Sequence, residues 1–260
     1  MSEKSLGIIQ SRGLGDILIA LPIARHFHCA GYQVFWPICE EFAGSVKDCV
    51  PWVHWIPLPT EARGHYFYFE PLLRLKALGC DEILCLYQSL NILPELSQAP
   101  WYQVQHFDEY KYTRARVPFL QKWKLSECIT RNPMREAALI KKLVTRPEYY
   151  VTHLESGTFQ GTPDLSWVPE GWQRIQVTPE ATDCIFDWLA LIEGAQALIC
   201  IDSSVANLVD QMQIHNDTLR KYWIPRSHIH LTPVLGTAWT ILDPPAGSLA
   251  AKQLFAAVPQ

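Results

Sequence analysis

The sequence predicts an α/β protein in which parallel strands alternate with helices in two successive units. Apolar runs such as residues 6–9 and 197–201 have the composition of buried strands, and each is followed by a short polar turn and an amphipathic helix. This alternation favours a doubly wound parallel sheet in each unit. Because open sheets of this kind bind ligands at the carboxyl ends of their strands, the polar turns are the candidate sites.

The first unit is predicted to end near Arg146, since Pro147 follows it and stops a helix. Its predicted strands are 6–9, 32–36, 53–56 and 82–87, and its predicted helices begin near Asp16 and cover 39–47, 72–78 and 133–144. Residues 57–70 are predicted to form a loop, and residues 91–131 to be irregular. The predicted first domain is therefore 1–146.

The second domain is predicted to cover 147–260. Its predicted strands are 148–153, 173–177 and 197–201, and its predicted helices are 185–195, 205–212 and 248–257. The strands of both domains are followed by small polar residues. This is the outline of two facing Rossmann-like domains with a cleft between them.

The composition favours a cytoplasmic protein. The chain has 260 residues, of which 48% are apolar, enough for a sizeable core. It has no run of eighteen apolar residues and no basic and apolar leader, so neither a membrane span nor a secretory signal is predicted. The eight cysteines are scattered without a Cys-x-x-Cys pair, which predicts buried thiols in a reducing compartment and no zinc site.

The net charge of −4 is unevenly distributed. Residues 111–146 contain ten Lys or Arg side chains and two acids, a net charge of +8, so the rest of the chain carries −12. One interpretation is a solvated helical face. The other is a docking surface for a polyanion, because aromatic residues such as Tyr112 and Trp123 are interleaved with the charges.

The turn after the first strand is the strongest candidate site. Gly13 and Gly15 let the backbone turn tightly and approach a ligand, and Asp16 stands at the start of the following helix. A carboxylate there is either a helix cap or a catalytic group. The turn lacks the third glycine of a dinucleotide fingerprint and the Gly-Lys-Ser/Thr ending of a P-loop.

Two motifs together resemble the heptosyltransferase-type glycosyltransferases. They are Gly13-Leu14-Gly15-Asp16 followed by Leu21-Pro22, and Leu191-Ile192-Glu193-Gly194-Ala195 followed by Ile199-Cys200-Ile201-Asp202-Ser203-Ser204-Val205-Ala206-Asn207-Leu208. The resemblance implies the GT-B arrangement and transfer from a nucleotide-activated sugar with inversion at the anomeric carbon. It also implies that the first domain handles the acceptor and the second the donor.

The resemblance assigns roles to individual residues. Asp16 is the implied general base, the turn that begins at Asp202 is implied to bind the donor's phosphates and sugar, and Glu180 to hold its ribose. Asn207 replaces the family's histidine, and residues 165–169 lack the family's lysine. Another cation is therefore needed at the diphosphate, and the candidates are Arg12, Lys111, Arg220, Lys221 and Arg226.

The full set of predicted contacts follows from these motifs and from the turns on the same sheet edges. Donor contacts are predicted for Arg12, Gly15, His153, Glu155, Ser156, Glu180, Asp202, Ser203, Ser204 and Asn207, and acceptor contacts for Lys111, Tyr112, Arg114 and Arg116. No Asp-x-Asp pair is present to hold a divalent ion, so no metal is predicted. The only small-molecule partner expected is a nucleotide diphosphate sugar.

The sequence leaves the acceptor open. The family resemblance implies a bacterial surface glycan, while the basic segment with its aromatic residues favours a hydroxymethylated base in phage-type DNA. Two further alternatives remain. One is a nucleotide-sugar epimerase, which needs no acceptor, and the other is a non-catalytic module that binds a sugar nucleotide or a nucleic acid.

Overall fold

The first unit is a four-stranded parallel sheet in the order β3-β2-β1-β4. A computed structural model describes residues 4–59, 68–87, 106–156, 159–214, 218–225 and 233–242. Within the first unit these comprise β1 (Lys4–Ile9), α1 (Leu14–Cys29), β2 (Tyr32–Cys39), α2 (Glu40–Val46), β3 (Val53–Leu58), α3 (Phe69–Ala77), β4 (Glu82–Cys85), α4 (Phe107–Ala115) and a 3₁₀ segment (Phe119–Glu127). The predicted parallel α/β architecture is confirmed for this unit.

The core of this unit lies around β1 and α1. Residues 17–24 of α1 are all buried, and β1 lies between β2 and β4, with Leu6 opposite Val34 on one side and Glu82 on the other. Gly7 allows α3 to pack closely on the sheet, because a Cβ at this position would lie 2.7 Å from Leu75 Cδ1. The turn that follows β1 is therefore held between well-packed elements.

Helix α4 was not expected from the sequence, which predicted an irregular segment here. Its buried face carries charged residues: Asp108 and Lys111 are almost fully buried. Lys122 Nζ lies 2.6 Å from Asp108 Oδ2, and both side chains are shielded from solvent. Because the buried face is polar, α4 lacks the apolar period by which an amphipathic helix is recognised.

The second unit is a five-stranded parallel sheet in the order β11-β10-β9-β5-β8. Its described elements are α5 (Pro133–Leu143), β5 (Tyr149–His153), β6 (Glu155–Ser156), β7 (Phe159–Gln160), β8 (Gln173–Gln176), a 3₁₀ turn (Ile185–Trp188), α6 (Leu189–Glu193), β9 (Ala197–Ile201), α7 (Ser204–Gln211), β10 (Arg220–Ile224) and β11 (Thr240–Ile241). β6 and β7 form a small antiparallel hairpin. The helix predicted over 185–195 is thus a 3₁₀ turn that continues into α6.

The boundary between the units lies at Arg131/Asn132, before α5, whereas the sequence placed it after Arg146. Helix α5 packs within the second unit: Arg135 Nε donates to Asp187 Oδ2 at 2.9 Å, and Ala190 N donates to Glu136 Oε2 at 3.2 Å. Asn132 caps the helix by accepting from Arg135 N. The sequence break at Pro147 therefore ends a helix of the second unit.

Some predictions concern residues that the structure does not describe. The helix predicted over 248–257 and the cation Arg226 lie outside the described residues, as do most of the loop predicted over 57–70 and residues 88–105 of the segment predicted to be irregular. None of the described helices has both the length and the hydropathy needed to cross a bilayer.

Candidate functional site

The turn between β1 and α1 shows why its glycine is needed. Gly13 has φ 79°, and a Cβ on it would lie 2.7 Å from Asp16 Oδ2. Any other residue there would be strained and would press on this carboxylate. Asp16 lies in the first turn of α1, and no side chain caps the helix. Gly13, and not Asp16, thus occupies the N-cap position, while the Asp16 carboxylate in the first turn interacts favourably with the helix dipole.

Asp16 is joined to a buried lysine of α4. Lys111 Nζ lies 3.0 Å from Asp16 Oδ1, and the Lys111 side chain is 4% exposed while that of Asp16 is 37% exposed. The same ammonium group donates to Gln10 Oε1 at 2.7 Å and to the Leu86 carbonyl at 3.0 Å. Lys111 therefore reaches the carboxylate from inside the protein, while solvent reaches it from the other side.

A second polar cluster fixes the backbone beside this pair. Tyr87, which follows β4, accepts a hydrogen bond from Arg12 N at 2.8 Å, and its hydroxyl lies 3.2 Å from Ser11 Oγ. Burial raises the pKa of the Tyr87 hydroxyl well above its ordinary value. Gln10 Nε2 donates to the Arg12 carbonyl at 2.9 Å. The turn is thus tied to the carboxyl ends of β1 and β4.

The predicted acceptor residues divide into two groups. Lys111 and Tyr112 are core residues rather than surface contacts, because Tyr112 is 1% exposed and its hydroxyl donates to the Ile19 carbonyl of α1 at 3.0 Å. Arg114 and Arg116 are exposed, at the end of α4 and just beyond it. Of the four predicted acceptor residues, these two can meet a ligand from solvent.

Arg12, predicted to contact the donor, forms an ion pair within its own unit. Its Nη2 lies 2.6 Å from Glu41 Oε1 in the first turn of α2, and the Arg12 side chain is 15% exposed. The carboxyl end of β2 places Glu41 next to the turn that follows β1, since these strands are neighbours. The charge of Arg12 is therefore matched by a carboxylate of the same unit.

In the second unit the predicted donor residues follow neighbouring strands. His153 ends β5 and Ser203 follows β9, and His153 Nδ1 lies 2.8 Å from Ser203 Oγ. β5 and β9 pair in register with His153 opposite Cys200, which brings the two turns together. Asp202 is buried, and its backbone N–H donates to the Ile224 carbonyl at 3.0 Å. The sequence thus correctly placed His153 and Ser203 on one edge of a sheet.

The first turn of α7 is buried except at Ser204, which is partly exposed. Ser203 has extended backbone geometry and does not cap the helix, and Ser204 is half-buried. Asn207 is buried and its amide donates to the Ser203 carbonyl at 3.1 Å, so this group stabilises its own helix. The first N–H groups of a helix have no acceptor within the helix and are the kind of groups that bind anions.

The remaining predicted donor residues lie on turns. Glu155 is exposed on the hairpin and accepts from Gln160 Nε2 at 3.2 Å, and Ser156 is half-buried beside it. Glu180 is exposed in the turn after β8, the strand next to β5. Gly15 is partly exposed in the first turn of α1. Of the predicted donor set, His153 and Ser203 are in direct side-chain contact.

The basic segment 111–146 is not one surface of one unit. The boundary at Arg131/Asn132 divides it, and Lys111 and Lys122 are buried against carboxylates. Arg135 lies between Asp183 and Asp187. Its exposed members are Arg114, Arg116, Lys124, Lys141, Lys142 and Arg146. The sequence interpretation of a single polyanion surface is therefore not supported.

Comparison with known proteins shows a likeness in fold. No family model and no curated protein matches the sequence. Among solved structures, a family 9 glycosyltransferase from Veillonella parvula matches with a TM-score of 0.52 at 9% identity, over 92% of this chain and 86% of that one. The E. coli heptosyltransferase WaaC, solved with an ADP-linked fluoro heptose, gives a TM-score of 0.44 at 14% identity over 92% of both chains. This chain therefore shares the parallel α/β fold of the family 9 glycosyltransferase.

Proposed function

We propose that the protein is an inverting glycosyltransferase, in which Asp16 takes the proton of an acceptor hydroxyl. The acceptor oxygen forms a bond to the anomeric carbon of a nucleotide diphosphate sugar, the bond from that carbon to the diphosphate breaks, and the nucleotide diphosphate leaves. The proton goes to Asp16. No metal ion is part of this proposal.

The observation that carries the proposal is the state of the Asp16 carboxylate. It lies at the carboxyl end of β1, where α/β sheets bind ligands, and it is partly exposed. Its Oδ1 is held by Lys111, and the side chain as a whole is 37% exposed. A partly exposed carboxylate with one oxygen anchored suits a general base. The fold likeness supports the same assignment.

In the second unit, His153 and Ser203 supply hydrogen bonds to the diphosphate, and the start of α7 adds its dipole. Arg114 and Arg116 supply exposed cations at the acceptor side. A glycan is favoured over DNA as the acceptor, because two cations of segment 111–146 are buried and the others are divided between the units. The DNA acceptor remains one arm of the test.

The test begins with a thermal-shift panel of uridine, adenosine, guanosine and cytidine diphosphate sugars. The best donor is then incubated with core oligosaccharide, with hydroxymethylcytosine-containing DNA, and alone, and the products are weighed by mass spectrometry. A sugar-sized mass gain on one acceptor supports transfer. An altered sugar in the incubation without acceptor supports an epimerase instead, and binding without any product supports a non-catalytic module.

The base assignment is tested with Asp16→Asn. We expect kcat to fall by about 10²- to 10⁴-fold, the usual contribution of a general base, while donor affinity stays within twofold. Asp48→Asn, at an exposed turn of the same unit, is the matched control and keeps wild-type turnover. Wild-type kcat in the Asp16→Asn variant would overturn the assignment.

A further inference from the structure

We infer that Lys111 is a positioning residue that holds Asp16 in the orientation needed to accept the acceptor's proton. This inference rests on the proposed function. It assigns to Lys111 a role different from the acceptor contact that the sequence predicted, because the ammonium group acts on the substrate only through the Asp16 carboxylate.

The first argument is the number of hydrogen bonds. A lysine ammonium group has three N–H donors. Here the acceptors are Asp16 Oδ1 at 3.0 Å, Gln10 Oε1 at 2.7 Å and the Leu86 carbonyl at 3.0 Å. All three donors have a partner, and the side chain is 4% exposed. Lys111 therefore has no donor left for a phosphate or a sugar hydroxyl.

The second argument is that Lys111 is itself held in place from several sides. The start of α4 is fixed by a reciprocal pair of hydrogen bonds between His106 and Glu109, and Tyr112 ties α4 to the Ile19 carbonyl of α1. Asp16 lies one turn before Ile19 in the same helix. Helix α4 thus anchors both the lysine and the helix that carries the carboxylate.

The third argument is the cost of burying the charge. A buried ion pair is often no more stable than apolar residues of the same volume, so packing alone does not require a lysine at position 111. The Phe107 ring lies 5.8 Å from Lys111 Nζ and the Tyr87 ring 6.0 Å, so an apolar side chain would also have neighbours to pack against. The charge is explained by its effect on Asp16.

The turn around Asp16 fits the same role. Gly13 leaves room for Oδ2, and Lys111 fixes Oδ1, so the rotation of the carboxylate is restricted. A reacting group displaced by about 1 Å can lose on the order of 10²-fold in rate. Removing Lys111 frees the carboxylate to rotate, and the predicted loss is therefore in kcat.

The test is Lys111→Met in the full-length chain, with Lys122→Met as the matched control. Lys122 is a second buried lysine of the same unit, and its Nζ is paired with Asp108 Oδ2 at 2.6 Å rather than with Asp16. We expect Lys111→Met to lower kcat by about 10- to 100-fold with unchanged donor affinity, as expected for a misplaced base. Lys122→Met removes the partner of the fully buried Asp108 carboxylate and lowers the thermal midpoint at least as much, but it keeps kcat at a temperature where both variants are folded.

A double variant separates positioning from a structural effect. In an Asp16→Asn background, Lys111→Met is expected to cause less than a twofold further change in kcat, because the group through which it acts has already lost its function. Equal losses in both backgrounds, or an unchanged kcat in Lys111→Met alone, would overturn the inference. If the wild type transfers no sugar to any acceptor in the donor and acceptor assay, that result contradicts the proposed function itself, and it is distinguishable from a failure of the inference about Lys111.

Discussion

A buried carboxylate in the second unit offers the most quantitative stability prediction. Asp210 of α7 is 1% exposed and accepts four hydrogen bonds from residues 236–239. Its Oδ2 accepts from Gly236 N at 2.9 Å, and its Oδ1 accepts from Thr237 N at 3.1 Å, Thr237 Oγ1 at 2.7 Å and Trp239 Nε1 at 3.0 Å. Asp210 therefore holds the chain that leads into β11.

The two oxygens of Asp210 predict different costs for two substitutions. Asp210→Ala removes every acceptor from a buried charged site, which we expect to lower the free energy of unfolding by about 3 to 5 kcal/mol. Asp210→Asn can keep its oxygen at the Oδ1 position, so only Gly236 N loses an acceptor. Its cost is then about 1 to 3 kcal/mol.

Urea denaturation followed by tryptophan fluorescence measures both values, since Trp239 lies at the site. Asp183→Ala is the matched control, because its side chain is 76% exposed although it pairs with Arg135 at 2.8 Å. An exposed pair of this kind contributes about 0 to 1 kcal/mol. The reasoning is refuted if Asp210→Ala costs no more than Asp183→Ala, or if Asp210→Asn costs as much as Asp210→Ala.

Three further predictions concern the glycine turn and the thiols. Gly13→Ala is expected to lose about 1 to 3 kcal/mol of stability from backbone strain and also to lose turnover. The control is Gly31→Ala, because Gly31 has φ 89° and nothing lies within 4 Å of its Cβ position, so this variant has similar backbone strain but keeps turnover. Equal turnover in the two variants would contradict the inference that turnover requires the space that Gly13 leaves for the Asp16 carboxylate. Iodoacetamide is expected to modify exposed Cys29 in the native protein and Cys200 only after unfolding, as peptide mass spectrometry can show; early labelling of Cys200 would contradict its burial. Burial raises the pKa of the Cys128 thiol from 9.0 to about 12. Above pH 9.0 the unfolded chain therefore releases a proton that the folded chain keeps, and the free energy of unfolding falls as the pH rises towards 12. A Cys128→Ala variant is expected to show a smaller alkaline loss in urea midpoint, and an identical loss would refute this contribution.

The sequence was a good guide wherever the apolar period was undisturbed. β1, β5, β9 and α7 were placed close to their observed bounds, as was the start of α1, and the polar turns after β1, β5 and β9 were identified as candidate sites. These turns are recognisable because small polar residues interrupt apolar strands. The positions of Asp16, His153 and Ser203 on these turns were therefore predictable from the sequence.

The sequence was a poor guide wherever charges are buried. Helix α4 was missed because Asp108 and Lys111 occupy its inner face, and the partner of Lys111 is 95 positions away in the chain. Tyr87 ends a predicted strand and Gln10 directly follows one, so their positions indicated only weakly that they lie at the candidate site. Their hydrogen bonds depend on which strands are neighbours, and β1 is next to β4 only through a crossover.

The same structural detail narrows how a diphosphate is held under the proposed function. Arg12 is paired with Glu41, and the donors of Lys111 are fully used. Arg220 and Lys221 begin β10, so they lie at the edge opposite to the carboxyl ends of the strands, and burial lowers the pKa of Lys221. Among the described candidates, no cation of the second unit lies where the family's lysine was expected. Arg226, the remaining candidate cation, lies outside the described residues, so the groups that the structure places for this role are the hydrogen-bonding His153 and Ser203 and the start of α7.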